Sequence, residues 1–227
     1  LPLLAEPGYC ELLLNDQQVT LALAPAHCPL PKGRTPGLRP WGVSVQVPAL
    51  RGAQHRPYGS FAELAQAMDS LGRSGADAVA INPVHALFPG HGRGYSPYSP
   101  SSRLFLNGAM ADPALAGLPH LPDGAAPALV DWEAALPLHL AQLRAVFAGA
   151  NAQEIAFHLF VQWLAGKGLD AARERAGHAG MAIGLVGDLA VGVDPSGSDC
   201  WAMSEAMLNG LTIGAPPDPL GPLGQNW

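Results

Sequence analysis

The chain predicts an α/β fold, and three observations carry that expectation. Apolar runs suited to strands recur at 43–47 (Val-Ser-Val-Gln-Val), 79–82 (Val-Ala-Ile-Asn) and 181–185 (Met-Ala-Ile-Gly-Leu). Between them lie segments whose apolar residues repeat at helical spacing. The hydrophobic share of 48% supplies a core, and a charged share of only 13% is too low for a disordered chain. The 27 glycines and 23 prolines follow no fixed period, so they mark turns rather than a collagen-like repeat.

Taken in order, residues 9–14 and 18–23 read as two strands joined by a short turn at Asn15-Asp16-Gln17. A hairpin ahead of the α/β pattern is most simply the remnant of a small β domain, spanning 1–24. The proline-rich stretch 25–40 reads as a linker. From Trp41 the α/β rhythm begins and runs to Trp227. After the first strand, Ser60 precedes Glu63 by three residues, a capping box that can satisfy two orphan amides at a helix start. Phe61, Leu64, Ala65, Met68 and Leu71 then share one face, and Gly72 or Gly75 supplies the stop. The next strand, 79–82, completes a βαβ unit.

Residues 108–130 are loop-like. Asp131 can cap a helix through Leu136, Leu140, Leu143 and Phe147, although Pro137 falls in its second turn. Asn151 with Glu154 can open another, with Ile155, Leu159 and Trp163, extended to Leu169, on one face. Gly166 and Gly168 count against its continuity. The third strand ends near Asp188, and prolines at 216, 217 and 219 keep the last stretch non-helical.

Bulk properties exclude several functions. A net charge of −6, with 12 basic against 18 acidic residues and no basic run, argues against a nucleic-acid partner. No apolar run reaches the ~18–20 residues of a membrane span, and 1–6 has no basic start of a signal peptide. Cys10, Cys28 and Cys200 form no C-x-x-C pair and leave an odd thiol, which fits a reducing cytoplasm. The absence of an initiator Met suggests a piece of a longer protein. His85, His91 and the other histidines show no metal-ligand spacing, so neither a metal nor a cofactor is expected. Oxygen-bearing residues at 194–199 resemble a calcium loop but lack its closing Glu. Gly166-Lys167-Gly168 lacks the spacing of a phosphate loop.

The chemistry-bearing stretch is 94–103 (Gly-Tyr-Ser-Pro-Tyr-Ser-Pro-Ser-Ser-Arg), in the loop after the second strand. Loops at the C-terminal ends of parallel strands are where active sites gather. A stiff loop with two tyrosines, four serines and an arginine suits a sugar, whose ring faces lie on aromatics while its hydroxyls find partners. It also reads as a plain Pro/Ser surface loop. Asp188 is the carboxylate set at a strand end in an apolar run, and it reads either as a site residue or as a turn cap.

Five blocks sharpen this. Residues 42–46 (Gly-Val-Ser-Val-Gln), 81–87 (Ile-Asn-Pro-Val-His-Ala-Leu), 96–103, 184–193 (Gly-Leu-Val-Gly-Asp-Leu-Ala-Val-Gly-Val), and 214–218 with 224–227 resemble, in order, the amylomaltase-type 4-alpha-glucanotransferases. The resemblance implies the first three strands of a (β/α)₈ barrel, cut before it can close, since a whole barrel takes about 250 residues. Open sheet edges would favour self-association. It also implies disproportionation of α-1,4-glucans by a retaining double displacement, which needs paired carboxyl groups. In the family those come from later strands, beyond Trp227, so no catalytic residue is assigned to this chain. Tyr98, with Ser96 beside it, matches the family's active-site tyrosine motif, and Asp188 matches an aspartate of the same subsite. Asp218, Gln225 and Trp227 match a loop contacting glucan further on. Their structural alternatives are a core-edge tyrosine, a turn cap and a buried tryptophan. At 55–60 the chain reads His-Arg-Pro-Tyr-Gly-Ser where the family usually has Asn-Trp-Gly-Ile-Gly-Asp, which leaves that loop's path open. A non-catalytic carbohydrate-binding module or a purely structural fragment is the alternative function.

Overall fold

The computed structural model describes residues 6–33, 35–89, 95–147, 154–208 and 210–226. The chain divides into two units, Leu1–Lys32 and Gly33–Trp227, with the boundary inside the proline-rich stretch.

In the first unit, β1 (Gly8–Leu14) and β2 (Gln17–Leu23) pair antiparallel in a continuous register from Gly8↔Leu23 to Leu14↔Gln17. The turn is two residues, Asn15 and Asp16, at φ of 48° and 64°. Asn and Asp tolerate this left-handed conformation, which the tight hairpin turn demands. Glu11 accepts from Thr20 Oγ1 at 2.8 Å across the pair. The hairpin has no buried face: Tyr9 is 85% and Leu13 72% exposed.

The second unit is built on a parallel sheet in the order β3 (Gly42–Val45), β4 (Ala78–Ile81), β7 (Gly184–Val186). Val43↔Val79↔Leu185 and Ser44↔Ala80↔Val186 are cross-strand rows. The first row faces the helices. The second is made of smaller, more exposed side chains and faces the other way. Between β3 and β4 runs α1 (Phe61–Arg73), with the expected cap: Ser60 N donates to Glu63 Oε2 at 2.7 Å, and Ala62 N to Ser60 Oγ at 3.2 Å. Its end is a Schellman motif, with Gly75 at φ 98°, Ala76 N on Leu71 O and Gly75 N on Gly72 O, both at 3.0 Å. Phe61, Leu64 and Met68 are fully buried on the expected face, each worth about 1.5–3 kcal/mol.

A short antiparallel pair follows, β5 (His85–Ala86) with β6 (Ser102–Leu106), where the sequence predicts only loop. Next come α2 (Trp132–Phe147) and α3 (Glu154–His178). Asp131 caps α2 by accepting from Ala134 N at 3.2 Å, and Pro137 sits inside that helix with its ring exposed. The proposed Asn151 cap lies outside the described residues.

Two expectations for α3 are corrected. It is one continuous helix of 25 residues, because Gly168 marks a close approach rather than a break: a Cβ there would lie 2.6 Å from Phe61 Cβ on α1. Its buried face is Phe157, Val161, Leu164, Ala165, Ala172 and Ala176, with Leu169 partly buried against the same core, whereas Leu159 and Trp163 are 66% and 49% exposed; the side chain of Ile155 lies outside the described residues. The third strand also starts later than predicted. Ile183 N and Gly184 N both donate to Asp77 O at 2.9 Å, which turns the chain there before β7 begins. The rest of the unit is α4 (Ser198–Ala202) and the pair β8 (Gly214–Ala215) with β9 (Gln225–Asn226). No helix among the described residues is long and apolar enough to cross a membrane.

Candidate functional site

Parallel pairing sets three strand ends side by side, so Gln46, Asn82 and Gly187-Asp188 emerge from one edge of the sheet. The loop after β4 returns over that edge. A turn over 96–99, closed by Ser99 N on Ser96 O at 3.3 Å, presents Tyr98. Its root is fixed by Ser101 N on Ala86 O at 2.9 Å and by Asp194 N on Pro100 O at 2.8 Å. Asn82 Nδ2 donates to the Tyr98 hydroxyl at 2.6 Å, tying the loop to the end of β4.

Two cavities meet at this contact, and Asn82 and Tyr98 line both. One, of about 280 Å³, is walled by Ser44, Ala80, Val186 and Asp188. The other, of about 290 Å³, is aromatic, with Tyr95 and Trp132 beside Gln46 and His85. Tyr95 stacks on Trp132 at 5.2 Å and 6°, and Trp132 packs against Tyr58 at 5.7 Å. Both volumes are at or just below the small end of ligand pockets, enough for a single ring.

Sequence reasoning puts Tyr98 and Asp188 in one pocket, and both line the smaller cavity. Tyr98 is 52% exposed, so it is no core-edge tyrosine. Asp188 is exposed and accepts no hydrogen bond among the described residues, so turn capping is not its role there. Ser96 lines the aromatic cavity instead, and its Oγ accepts weakly from Tyr98 N at 3.4 Å. Asp218 behaves otherwise: its Oδ1 accepts from Leu220 N at 2.8 Å and Gly221 N at 2.6 Å, the turn-cap alternative. Gln225 lies in β9 close to that turn, and neither residue lines the two cavities. Trp227 is outside the described residues.

The loop at 55–60, whose path the sequence leaves open, also stays out of both cavities. Gly59 is wedged where a Cβ would lie 2.2 Å from Val47 O, and its N donates to Pro48 O at 2.9 Å. Tyr58 is buried and donates to Ala109 O at 2.7 Å, and burial pushes its phenol far above the ordinary range. Arg56 is buried against Asp112 at 3.0 Å and Glu63 at 3.9 Å.

Sequence reasoning missed Asn82, Ser44 and His85 as parts of the site. Asn82 closes a strand and reads as a boundary, and Ser44 reads as the polar position of an alternating strand. The sequence presents His85 as a loop polar residue or, less readily, a metal ligand, and the described residues hold no metal-type cluster. Its Nε2 instead accepts from Ala190 N at 3.3 Å. Partial burial and then the Arg103 charge lower its pKa, opposed by Asp188 and Asp199, so the neutral ring is favoured.

The family model for 4-alpha-glucanotransferase matches residues 45–152 and 130–227. The chain belongs to the 4-alpha-glucanotransferase family. It is 29% identical to a 4-alpha-glucanotransferase of Mycobacterium tuberculosis, over 84% of this chain and 37% of that one. It is 27% identical to the Haemophilus influenzae enzyme of the same name, over 82% and 40%. The chain thus spans about two fifths of the length of these relatives. Its fold is shared with amylomaltase from Corynebacterium glutamicum, at a TM-score of 0.68 and 24% identity over 83% of this chain and 36% of that one. An amylomaltase from Streptococcus agalactiae in complex with acarbose matches at 0.61 and 18%, over 84% and 52%. The mixed α/β fold with its parallel sheet is therefore that of the family.

Proposed function

We propose that this chain forms one wall of the glucan site of a 4-alpha-glucanotransferase, which moves a segment of an α-1,4-glucan to an acceptor sugar with retention. The observation that carries the reading is the shared cleft of Tyr98 and Asp188 at the ends of three parallel strands. Those strands open a (β/α)₈ barrel, and the hairpin of the first unit belongs to a separate β domain joined by the proline-rich linker.

Each wall residue has a task. The exposed Tyr98 ring offers an apolar face to a sugar ring, and its hydroxyl is held by Asn82. Asp188 accepts hydrogen bonds from sugar hydroxyls, and its charge favours the positive charge that develops at the anomeric carbon. The nucleophile and the proton donor belong to the rest of the barrel, and none of this chain's carboxylates takes either role. The loop of Gln225 and Trp227, its turn held by Asp218 Oδ1, contacts glucan beyond the cleft once that barrel is in place, and the open edges of β3 and β7 are where further strands or a second copy would pair. The cysteines, which form no C-x-x-C pair and leave an odd thiol, support a reducing cytoplasm as its place of work, and the reading calls for neither metal nor cofactor.

Maltotriose titration followed by NMR tests the reading. Shifts should centre on Tyr98, Asn82 and Gly187-Asp188, and Asp188→Asn should weaken binding about tenfold. Shifts elsewhere, or none at millimolar sugar, would sink it.

A further inference from the structure

We propose that His85 is a positioning residue for Asp188, whose neutral imidazole holds the backbone just beyond that carboxylate by accepting the Ala190 amide. The inference rests on the reading of Asp188 as a sugar-binding group.

After β7 the chain passes Asp188 with no strand partner for 187–191 among the described residues, and side chains take over the anchoring. Ala190 is fully buried, and its N–H points at His85 Nε2, 3.3 Å away. A buried amide without an acceptor is costly, so this contact matters to where the segment sits. On the carbonyl side, Arg103 Nη1 donates to Ala190 O at 3.2 Å and Val191 O at 3.1 Å. Arg103 is itself fixed, its own amide donating to the buried Asp199 carboxylate at 2.8 Å. The segment carrying Asp188 is thus clamped from both sides by residues of the β5–β6 pair.

The two clamps differ in one respect. Arg103 keeps its charge at all relevant pH, whereas His85 accepts at Nε2 only while that nitrogen carries no proton, which requires the Nδ1–H tautomer. Among the described residues, three charged groups face the ring: Arg103 from β6, Asp188 from the loop after β7, and Asp199 from the start of α4. Burial and Arg103 favour the neutral state. Protonation would set an N–H against the Ala190 N–H and break the contact. The imidazolium would then be drawn to Asp188, in competition with sugar hydroxyls.

The test uses the wild-type protein, His85→Gln and His85→Phe. Gln can accept the same amide without titrating, and Phe keeps ring bulk but cannot accept. Nitrogen-15 NMR at about pH 7.5 should show the Nδ1–H tautomer. Ala190 exchange, corrected for its intrinsic rate, should be protected in wild type and His85→Gln and lose protection in His85→Phe. Maltotriose affinity should fall roughly fivefold to tenfold in wild type between about pH 7.5 and pH 5, and stay flat in His85→Gln. An Nε2–H tautomer, Ala190 protection unchanged by both variants, or the same pH dependence in wild type and His85→Gln would overturn the proposal. Failure of maltotriose to bind the wild type at either pH would overturn the sugar reading and Asp188's role with it, while the exchange data still decide whether His85 holds the loop.

Discussion

The Tyr98 hydroxyl accepts from Asn82 Nδ2 at 2.6 Å, so a ring at a loop tip is fixed to the end of the central strand. Without that bond, only the turn at 96–99 would orient the ring. Tyr98→Phe keeps the aromatic face and removes the acceptor, and Asn82→Ala removes the donor. Each should weaken maltotriose binding about fivefold, with a coupling of about 0.5–1.5 kcal/mol in a double-mutant cycle by titration calorimetry. Additive losses would show that the contact does not orient the ring.

Two glycines of α3, two residues apart, should respond oppositely to alanine. At Gly168 a Cβ would meet Phe61 Cβ at 2.6 Å and Cδ2 at 2.8 Å, forcing α1 and α3 apart. Overpacking of this kind costs about 1–3 kcal/mol. At Gly166 nothing lies within 4 Å, so alanine gains helix propensity worth about 0.5–1 kcal/mol. Thermal melts should show Gly168→Ala falling and Gly166→Ala rising. A fall in both would mean that α3 needs its glycines for backbone freedom.

These glycines also mark what could be read in the sequence. Ser60 with Glu63 and the spacing of Phe61, Leu64 and Met68 are local signals, and α1 follows them closely. The α3 pattern is ambiguous because its contact face with α1 and β7 is built from Gly168, Ala172 and Ala176, and small residues leave no hydrophobic stripe. Its large residues Leu159 and Trp163 point elsewhere. In the cleft, Tyr98 and Asp188 were legible because motif and strand end coincide. Asn82 and His85 were not, since their roles lie in contacts with residues 16 and 105 positions away.

Arg56 is a buried cation in the 55–60 loop. It faces Asp112 at 3.0 Å and Glu63 at 3.9 Å, and its Nε donates to Gln54 Oε1 at 3.1 Å. Both carboxylates also serve as caps, Glu63 for α1 and Asp112 for Ala114 N at 2.9 Å. Arg56→Met would leave two buried carboxylates without their cation, a loss of about 3–5 kcal/mol by urea unfolding. Adding Asp112→Asn and Glu63→Gln should recover part of it, since the neutral side chains no longer need a cation. A single variant as stable as wild type would show that the cluster contributes nothing net.

His139 sets a pH dependence of stability. Its ring is buried, and Nε2 donates to Ala111 O at 3.1 Å, which is compatible with the neutral Nε2–H tautomer. Burial lowers its pKa first; the Ala111 bond raises it, the Arg56 charge lowers it, and Asp112 and Glu63 raise it. The net shift is downward, so the unfolded chain binds more protons than the folded one in the window below the ordinary histidine pKa of about 6.5. Stability from this group is therefore complete above that value and declines as pH falls toward the lower folded pKa. The melting temperature should drop between about pH 7 and pH 5, and His139→Gln, whose amide can donate to the same carbonyl, should flatten part of that slope. Equal slopes in the two proteins would place the acid sensitivity elsewhere, for instance at the partly buried His85, whose pKa shifts in the same direction.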